Sequence, residues 1–250
     1  MASRESVKTG VLLFILCGLI TWNAIIHNKF TQQEKRFQAG LTEEENTRPK
    51  RSTNRQAPPV GGATYIRRGR TECPDEADLV YKGFAAGGWY AHTGAGSEYI
   101  CLTDNPKYAK HKAGEQNYLS FIYGVEFQAQ PIVNELFEHT NSNPNDLPNS
   151  DVQCAVCRSR LRTSSVMIPG TNECVSGWNM EYWGYLMSSY YNHKAQYTYA
   201  CVDHAPQKGT EGGAKDENGA LMYLVEGRCG SLPCQPYKDG HEFTCVVCTK

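Results

Sequence analysis

Cysteine is the residue that most constrains what this chain can fold into. The 250-residue sequence contains 11 cysteines, and all but Cys17 follow residue 72. A two-residue-spaced pair occurs twice, in QCAVCR at residues 154–157 and in TCVVCTK at residues 245–248. Ten cysteines, an even number, predict a disulfide framework if this part of the chain lies in an oxidising compartment. Zinc binding and thiol redox chemistry are the competing uses of such pairs.

One apolar run determines the compartment. Residues 10–26 read GVLLFILCGLITWNAII and follow Arg4 and Lys8, which is typical of a signal peptide or an uncleaved signal anchor. No clean small-x-small cleavage pattern follows, so we favour a single-pass anchor with residues 1–9 in the cytoplasm. The sequence therefore predicts an extracellular type II membrane protein that is retained, shed or secreted.

A polar stalk is predicted over residues 27–62, which end in Pro-Pro and Gly-Gly and show little apolar periodicity. We interpret this segment as a flexible spacer. Within it the RPKR run matches the dibasic pattern cut by furin-type convertases, with Arg48, Lys50 and Arg51 as the recognised side chains. Cleavage after Arg51 would shed the rest of the chain.

Basic residues are concentrated between positions 48 and 70, where seven occur without any Asp or Glu. Summed Coulomb attraction from such a block favours acidic polymers, above all acidic polysaccharide. Nucleic acid is not expected, because the predicted compartment is extracellular. The candidate polyanion-binding residues beyond the cleavage motif are Arg55, Arg67, Arg68 and Arg70.

The chain also aligns with itself. Residues 71–84 overlie 172–185 at an offset of 101, and YGVE at 123–126 overlies YLVE at 223–226 at an offset of 100. The two CxxC pairs correspond at an offset of 91. Identical residues that keep their spacing through several blocks predict a tandem duplication. The matched pairs include Cys73 with Cys174, Tyr81 with Tyr182, Gly83 with Gly184, His92 with His193, Tyr99 with Tyr199 and Cys101 with Cys201.

Short aromatic and β-branched runs dominate both copies. LVYKGF, SSVMI, YTYAC, LMYLVE and FTCVVC are separated by Gly, Pro, Asn and Asp, and no long 3.6-residue periodicity occurs after residue 62. We therefore predict a mostly β fold. It consists of two disulfide-stapled β-rich subdomains, residues 63–160 and 161–250, preceded by the anchor or signal helix and the flexible stalk.

The spacing and the context of the CxxC pairs disfavour both a zinc site and a thiol redox centre. Ribbon-type zinc sites place two such pairs roughly 15 to 20 residues apart, whereas about 88 residues separate these. A thioredoxin-like centre needs a helix after its CxxC, and we expect none after Cys248. Structural disulfides are therefore favoured, with no metal and no cofactor. Cys229 and Cys234 have no counterpart in the first copy and so most simply pair with each other.

Several motifs together resemble a known family. GGATYIRRGRTECP, LVYKGF, QCAVCR, GWNMEYWGYLMSSYYNH, YLVEGRCGSLPC and FTCVVC are similar to the carboxy-terminal domain of sponge and invertebrate short-chain (spongin-type) collagens. The order of cysteines around GW and WGY, given twice, is more distantly similar to the duplicated non-collagenous domain of type IV collagen. The resemblance covers residues 61–250 and implies a β-rich tandem fold. It also implies four disulfides, namely Cys73–Cys157, Cys101–Cys154, Cys174–Cys248 and Cys201–Cys245.

The function implied is that of a non-enzymatic extracellular matrix or cell-surface structural protein. Such a protein would form homo-oligomers and bind matrix components, and it would contact the membrane through residues 10–26. An alternative is an organic matrix protein of a mineralised or spongin-like skeleton. The chain has no Gly-x-y repeat and cannot itself form a collagen triple helix. The first copy lacks the local disulfide, so the trimer and hexamer contacts of type IV collagen are not carried over.

Catalytic residues are not predicted. His92 and His193 recur in the aromatic settings WYAHTG and YYNHKA, where a metal or acid–base role competes with simple packing among rings. We favour packing. The acidic residues Glu211, Asp216 and Glu217 lie in a Gly-rich segment and are expected to be solvated.

Overall fold

The computed structural model describes residues 27–35, 61–115, 117–128, 132–209 and 216–250. The chain divides into two compact units, Met1–Gln56 and Ala57–Lys250. The predicted anchor and most of the predicted stalk lie outside the described residues. Within those residues, no helix is long and apolar enough to cross a membrane.

The described part of the first unit is a helix, α1, over residues 27–35. These residues fall within the predicted spacer, so the spacer is not irregular throughout. The run contains Gln, Glu and Lys, which are good helix formers, and no Gly or Pro. The Thr31 hydroxyl also donates to the carbonyl oxygen of His27 at 2.8 Å.

The second unit is mostly β, as predicted. Its described helical elements are brief: helix α2 covers Val133–Leu136 and a 3-10 turn covers Pro144–Asp146. Ten strands make up the regular structure: β1 Thr64–Arg68, β2 Ala77–Gly87, β3 Ile100–Thr103, β4 Tyr123–Phe127, β5 Gln153–Ser159, β6 Ser165–Pro169, β7 Asn179–Ser188, β8 Ala200–Asp203, β9 Ala220–Leu224 and β10 Thr244–Thr249.

The strands form two groups with the same pairing order. In the first group, β1 to β5, which we call the first half, β1 pairs with β5, β5 with β2, and β2 with both β3 and β4. In the second group, β6 to β10, which we call the second half, β6 pairs with β10, β10 with β7, and β7 with both β8 and β9. All of these pairs are antiparallel. Two parallel pairs, β1 with β8 and β4 with β9, join the halves, and we call their contacts the internal joint.

Each half contains a β-bulge at the same place. The register between β2 and β5 shifts between Leu79 and Tyr81, which leaves Val80 as the extra residue. In the second half β10 pairs with Met180 and then with Tyr182, which leaves Glu181 as the extra residue. A bulge turns its extra residue out of the alternating pattern of the strand. Val80 is exposed, whereas Glu181 is buried.

The CxxC pairs lie within strands β5 and β10. Residues three apart on a strand face opposite sides of the sheet and are about 10 Å apart along it, so the two cysteines of a pair cannot reach each other. Each one bonds a different distant partner, with Cα atoms 5.4–5.9 Å apart across the five bridges. The disulfides are Cys73–Cys157, Cys101–Cys154, Cys174–Cys248, Cys201–Cys245 and Cys229–Cys234, the same pairs that the sequence and the resemblance suggested.

Buried side chains from both halves share the core. One cluster includes Tyr99, Phe127 and Val125 of the first half together with Met187 and Met222 of the second. The other includes residues of β1 and β5 as well as residues of β7 and β10. Since each cluster draws on both halves, the described β-rich region packs as one body rather than as two separate cores.

The long disulfides are expected to contribute more stability than the short one. In the chain-entropy model, the Cys101–Cys154 bridge closes a loop of 53 residues and contributes at most about 4 kcal/mol. The Cys229–Cys234 bridge closes a loop of 5 residues and contributes about 2 kcal/mol. Replacing both cysteines of the first bridge by Ser should therefore lower Tm about twice as much as the same change at the second. Calorimetry of the full chain measures this, and a larger loss at Cys229–Cys234 would contradict it.

Candidate interaction surface

A buried ion pair holds β1 against β8. Both Nε and one terminal nitrogen of Arg67 lie 2.7 Å from Oδ2 of Asp203, whose side chain is fully buried. The other carboxylate oxygen of Asp203 accepts the backbone N–H of Ala205 at 3.0 Å. A buried carboxylate with this many donors is stable only while the arginine stays in place.

Glu181 forms a second polar contact across the internal joint. Its Oε2 accepts the Tyr65 hydroxyl at 2.5 Å. Its Oε1 accepts the Thr249 hydroxyl at 2.5 Å and the Arg162 guanidinium at 3.0 Å. Burial first, and then the hydrogen bond to Glu181, raise the pKa of Tyr65, so the phenol stays protonated as a donor. The Glu181 carboxylate on β7 thus ties together β1, β10 and the connection between β5 and β6.

Tyr99 is the central aromatic side chain of the internal joint. It is fully buried, and its ring stacks on Tyr197 with centroids 4.3 Å apart. Its hydroxyl donates to the carbonyl oxygen of Leu221 at 2.8 Å. Arg68 donates to the carbonyl oxygen of Tyr99 at 2.9 Å, and the Tyr197 hydroxyl donates to that of Gly88 at 2.5 Å. A first-half side chain is therefore stacked on and hydrogen-bonded to residues of the second half.

Glu126 on β4 is the least well satisfied group of the internal joint. Its Oε1 accepts backbone N–H groups of Glu217 at 3.0 Å and of Asn218 at 3.2 Å. Its Oε2 is buried without a hydrogen-bond partner. Burial raises the pKa of Glu126, because the ionised form loses hydration that the protein does not replace.

Two strand edges are open in the described structure. Among the described residues, β3 pairs with β2 alone and β6 pairs with β10 alone. Large apolar side chains are exposed on and beside both edges. In the first half they are Val80, Ile100, Leu102, Phe121 and Ile122, which we call the first-half open face; in the second half they are Val166 and Tyr199, which with Ile168 of β6 form the second-half open face.

The predicted polyanion-binding arginines are largely used inside the fold. The Arg67 side chain is only 12% exposed and is neutralised by Asp203. The Arg70 side chain is 16% exposed, lies 3.7 Å from Glu72 and donates to the carbonyl oxygen of Ala205. Burial lowers the pKa of Arg70. These contacts leave little of this run for an outside anion, while Arg48, Lys50, Arg51 and Arg55 lie outside the described residues.

The two histidines pack among aromatic rings. His92 lies edge-on to Trp89 at 4.9 Å, and His193 lies 4.7 Å from Tyr90. Burial lowers the pKa of His193, which favours a neutral imidazole. In the parts of the chain that the structure describes, no group of three His, Cys, Asp or Glu side chains is arranged to hold a metal ion. The cysteines of both CxxC pairs are bonded and carry no thiol.

Comparison with known proteins gives no further assignment. Neither the protein-family models nor the curated proteins with which the sequence was compared match this chain.

Sequence reasoning missed the residues of the internal joint and of the open faces. Tyr65 and Glu181 lie in motifs quoted for the resemblance, but nothing in those motifs marks them as contacts between the halves, and Asp203 lies in none. Exposed apolar residues such as Leu102 look like ordinary strand residues in the sequence. A signal was present in the differences between the two copies. The bulge position, for example, is Val80 in one copy and Glu181 in the other.

Removing the Glu181 carboxylate should destabilise the fold strongly. Glu181→Ala removes the acceptor of the Tyr65 and Thr249 hydroxyls and one of the two carboxylates that pair with Arg162, and should lower the free energy of unfolding by about 3 kcal/mol. Val80→Ala at the matching bulge position is the control, because an exposed side chain should change stability by less than about 0.5 kcal/mol. Urea denaturation measures both. Equal losses for the two variants would contradict the role of Glu181.

Replacing Glu126 should stabilise the protein in a pH-dependent way. A raised pKa means that the folded state prefers the protonated acid, so wild-type stability falls as pH rises from about 4, near the ordinary glutamate pKa. Gln does not titrate, so Glu126→Gln should be more stable at pH 7, by about 1 kcal/mol for one buried unsatisfied oxygen. The advantage should shrink toward pH 4. Glu226→Gln, at the matching exposed position, should show no such trend in thermal unfolding.

Proposed function

We propose that this chain is a non-enzymatic extracellular structural protein whose β domain assembles head to tail with copies of itself. Five disulfides fit an oxidising compartment, where they persist. The resemblance to short-chain collagen carboxy-terminal domains points to the extracellular matrix or cell surface. The observation that carries self-association is the relation between the internal joint and the two open faces.

A tandem duplication accounts for the two halves. Beyond the shared pairing order and bulge, the Tyr81 hydroxyl donates to the carbonyl oxygen of Cys101 at 3.0 Å, and the Tyr182 hydroxyl donates to that of Cys201 at 3.1 Å. Cys154 lies opposite Gly83, as Cys245 lies opposite Gly184. On this basis β1 to β5 correspond to β6 to β10, and residues that share a register position or an aligned block are counterparts.

Buried residues of the internal joint have exposed counterparts. Val202 of β8 is fully buried where β1 covers it, whereas its counterpart Leu102 is 43% exposed. Leu221 and Met222 are buried in the internal joint, while their counterparts Phe121 and Ile122 are 41% and 52% exposed. The first half thus presents the surface that the second half uses for binding β1 at β8 and β4 at β9. The matching ligand for that surface is β6, the counterpart of β1, on another copy.

Charged residues of the internal joint are replaced by uncharged residues on the open faces. By strand register, Tyr65 corresponds to Val166, and Glu181 corresponds to Val80. In the same way, Arg67 corresponds to Ile168, and Asp203 corresponds to Thr103. A contact of β6 with β3 would therefore have two valines in place of the tyrosine and the carboxylate, and Ile168 with Thr103 in place of the ion pair.

The different residues of the internal joint and the open faces also determine which edge each strand binds. If β6 occupied the place of β1, Asp203 would lose the arginine that neutralises it and Glu181 would lose the Tyr65 hydroxyl, so each buried carboxylate would keep fewer donors, which is costly. The apolar β6 edge is therefore better matched to β3 of another copy than to β8 of its own. Because the two open faces differ, the contact is heterologous and generates a ring or a filament. Either assembly gives a matrix protein many binding sites in one particle.

Charged substitutions on the open faces should abolish association. Leu102→Asp disables the first-half open face and Val166→Asp disables the second-half open face, so each variant alone should sediment as a monomer. Each variant keeps the face that the other lacks, so an equimolar mixture should form a dimer and nothing larger. Val175→Asp is the control, because Val175 is exposed and its counterpart Pro74 does not take part in the internal joint.

Analytical ultracentrifugation of the full chain in mild detergent measures these states. The proposal fails if the wild type is monomeric at every concentration. It also fails if the mixture of the two variants does not associate, since a heterologous contact requires that rescue.

A further inference from the structure

A groove lies beside the open edge of β3. It has a volume of about 420 Å³. One part of its lining is Ala86, Gly87 and Gly88 at the end of β2, whose side chains are a methyl group and hydrogen atoms; we call these three residues the glycine floor. The rest of the lining is Gly96, Ser97, Glu98, Ile100, Ser120, Phe121 and Ile122.

Tyr199 is the most exposed residue of the second-half open face. It is 62% exposed, whereas its counterpart Tyr99 is fully buried in the internal joint. It immediately precedes β8, as Tyr99 immediately precedes β3. A large aromatic side chain held outward next to a strand is a common anchor residue of protein interfaces.

The residues around Tyr99 correspond to the residues that line the groove. Tyr99 shares a buried cluster with Met187, Ala200, Ala220 and Met222. Their counterparts in the first half are Ala86, Ile100, Ser120 and Ile122, and all four line the groove. The stacking partner Tyr197 corresponds to Ser97, and the acceptor Leu221 corresponds to Phe121. The groove is therefore the first-half version of the site in which the second half holds Tyr99.

Two replacements explain why the site is open in the first half. Met187 is replaced by Ala86, and the ring of Tyr197 is replaced by the hydroxymethyl group of Ser97. Each change removes side-chain volume, so the groove has room for an aromatic ring together with its hydroxyl. Tyrosine is suited to such a site, because it buries a large apolar area and carries a polar tip.

We propose that the groove of one copy receives Tyr199 of the next copy. This inference rests on the proposed head-to-tail assembly and names its anchor. The ring packs between Ile100 and Ile122 over the glycine floor. The hydroxyl donates to the carbonyl oxygen of Phe121, as that of Tyr99 donates to Leu221.

Substitutions on either side of the contact test it. Tyr199→Ser removes the anchor and should weaken self-association of the full chain by about tenfold or more, the effect typical of an interface anchor. Tyr199→Phe keeps the ring and should weaken association by a smaller factor. Ser97→Trp fills the groove and should act like Tyr199→Ser. Tyr108→Ser is the matched control, because Tyr108 is 81% exposed and belongs to neither open face. Its counterpart Lys208 is exposed as well.

Covalent trapping identifies the neighbour. Chains carrying Tyr199→Cys and chains carrying Ser97→Cys are mixed and treated with a short bismaleimide. The mixture should give a covalent dimer above the level given by either variant alone or by the wild type, which controls for Cys17. No excess dimer in the mixture would overturn the proposal.

The outcomes separate this proposal from the assembly itself. If the wild type associates and Tyr199→Ser behaves like Tyr108→Ser, Tyr199 is not the anchor, and head-to-tail assembly is untouched. If the wild type does not associate, both fail. If Ser97→Trp weakens association while Tyr199→Ser does not, the groove receives a different group, and the assignment of Tyr199 is wrong.

Discussion

The alternation of side chains along a β-strand determines how this domain is held together. It sends the two cysteines of each CxxC pair to opposite sides of the sheet, so neither can bond its neighbour. Cys154 and Cys157 instead reach back to Cys101 and Cys73, and the end of the half is tied to its beginning. The second half repeats the arrangement. The short strands need this constraint, because few residues in each half are fully buried.

The two halves are similar in fold but not in surface. The internal joint is rich in buried polar contacts, such as Arg67 with Asp203, and these fix β1 beside β8. The corresponding edges β3 and β6 have the uncharged residues Thr103 and Ile168 at the positions of this ion pair. A fold with two similar halves can in this way keep one contact within the chain and make a second one available between chains. The two contacts stay distinct because their residues do not match each other.

The sequence predicted the parts of this structure that depend on local pattern. Short aromatic and β-branched runs gave the β class, and the resemblance to short-chain collagen domains implied the four disulfides that bond each CxxC pair back to earlier cysteines. The internal joint was not predictable, because Arg67 and Asp203 are 136 positions apart and parallel pairing leaves no local signature. For the same reason the basic run at residues 48–70 predicts an exposed polyanion-binding surface, although the Arg67 side chain is buried against Asp203. The open faces become visible only when counterparts are compared for burial.

The most direct test of head-to-tail assembly is amide hydrogen exchange of the full chain at low and high protein concentration. The account predicts slower exchange at high concentration in Ile100–Thr103 and Ser165–Pro169, the two open edges. Exchange in β1 and β8 should not change, because the internal joint is already formed within each copy. Concentration-independent exchange at both open edges, or new protection only elsewhere, would contradict it.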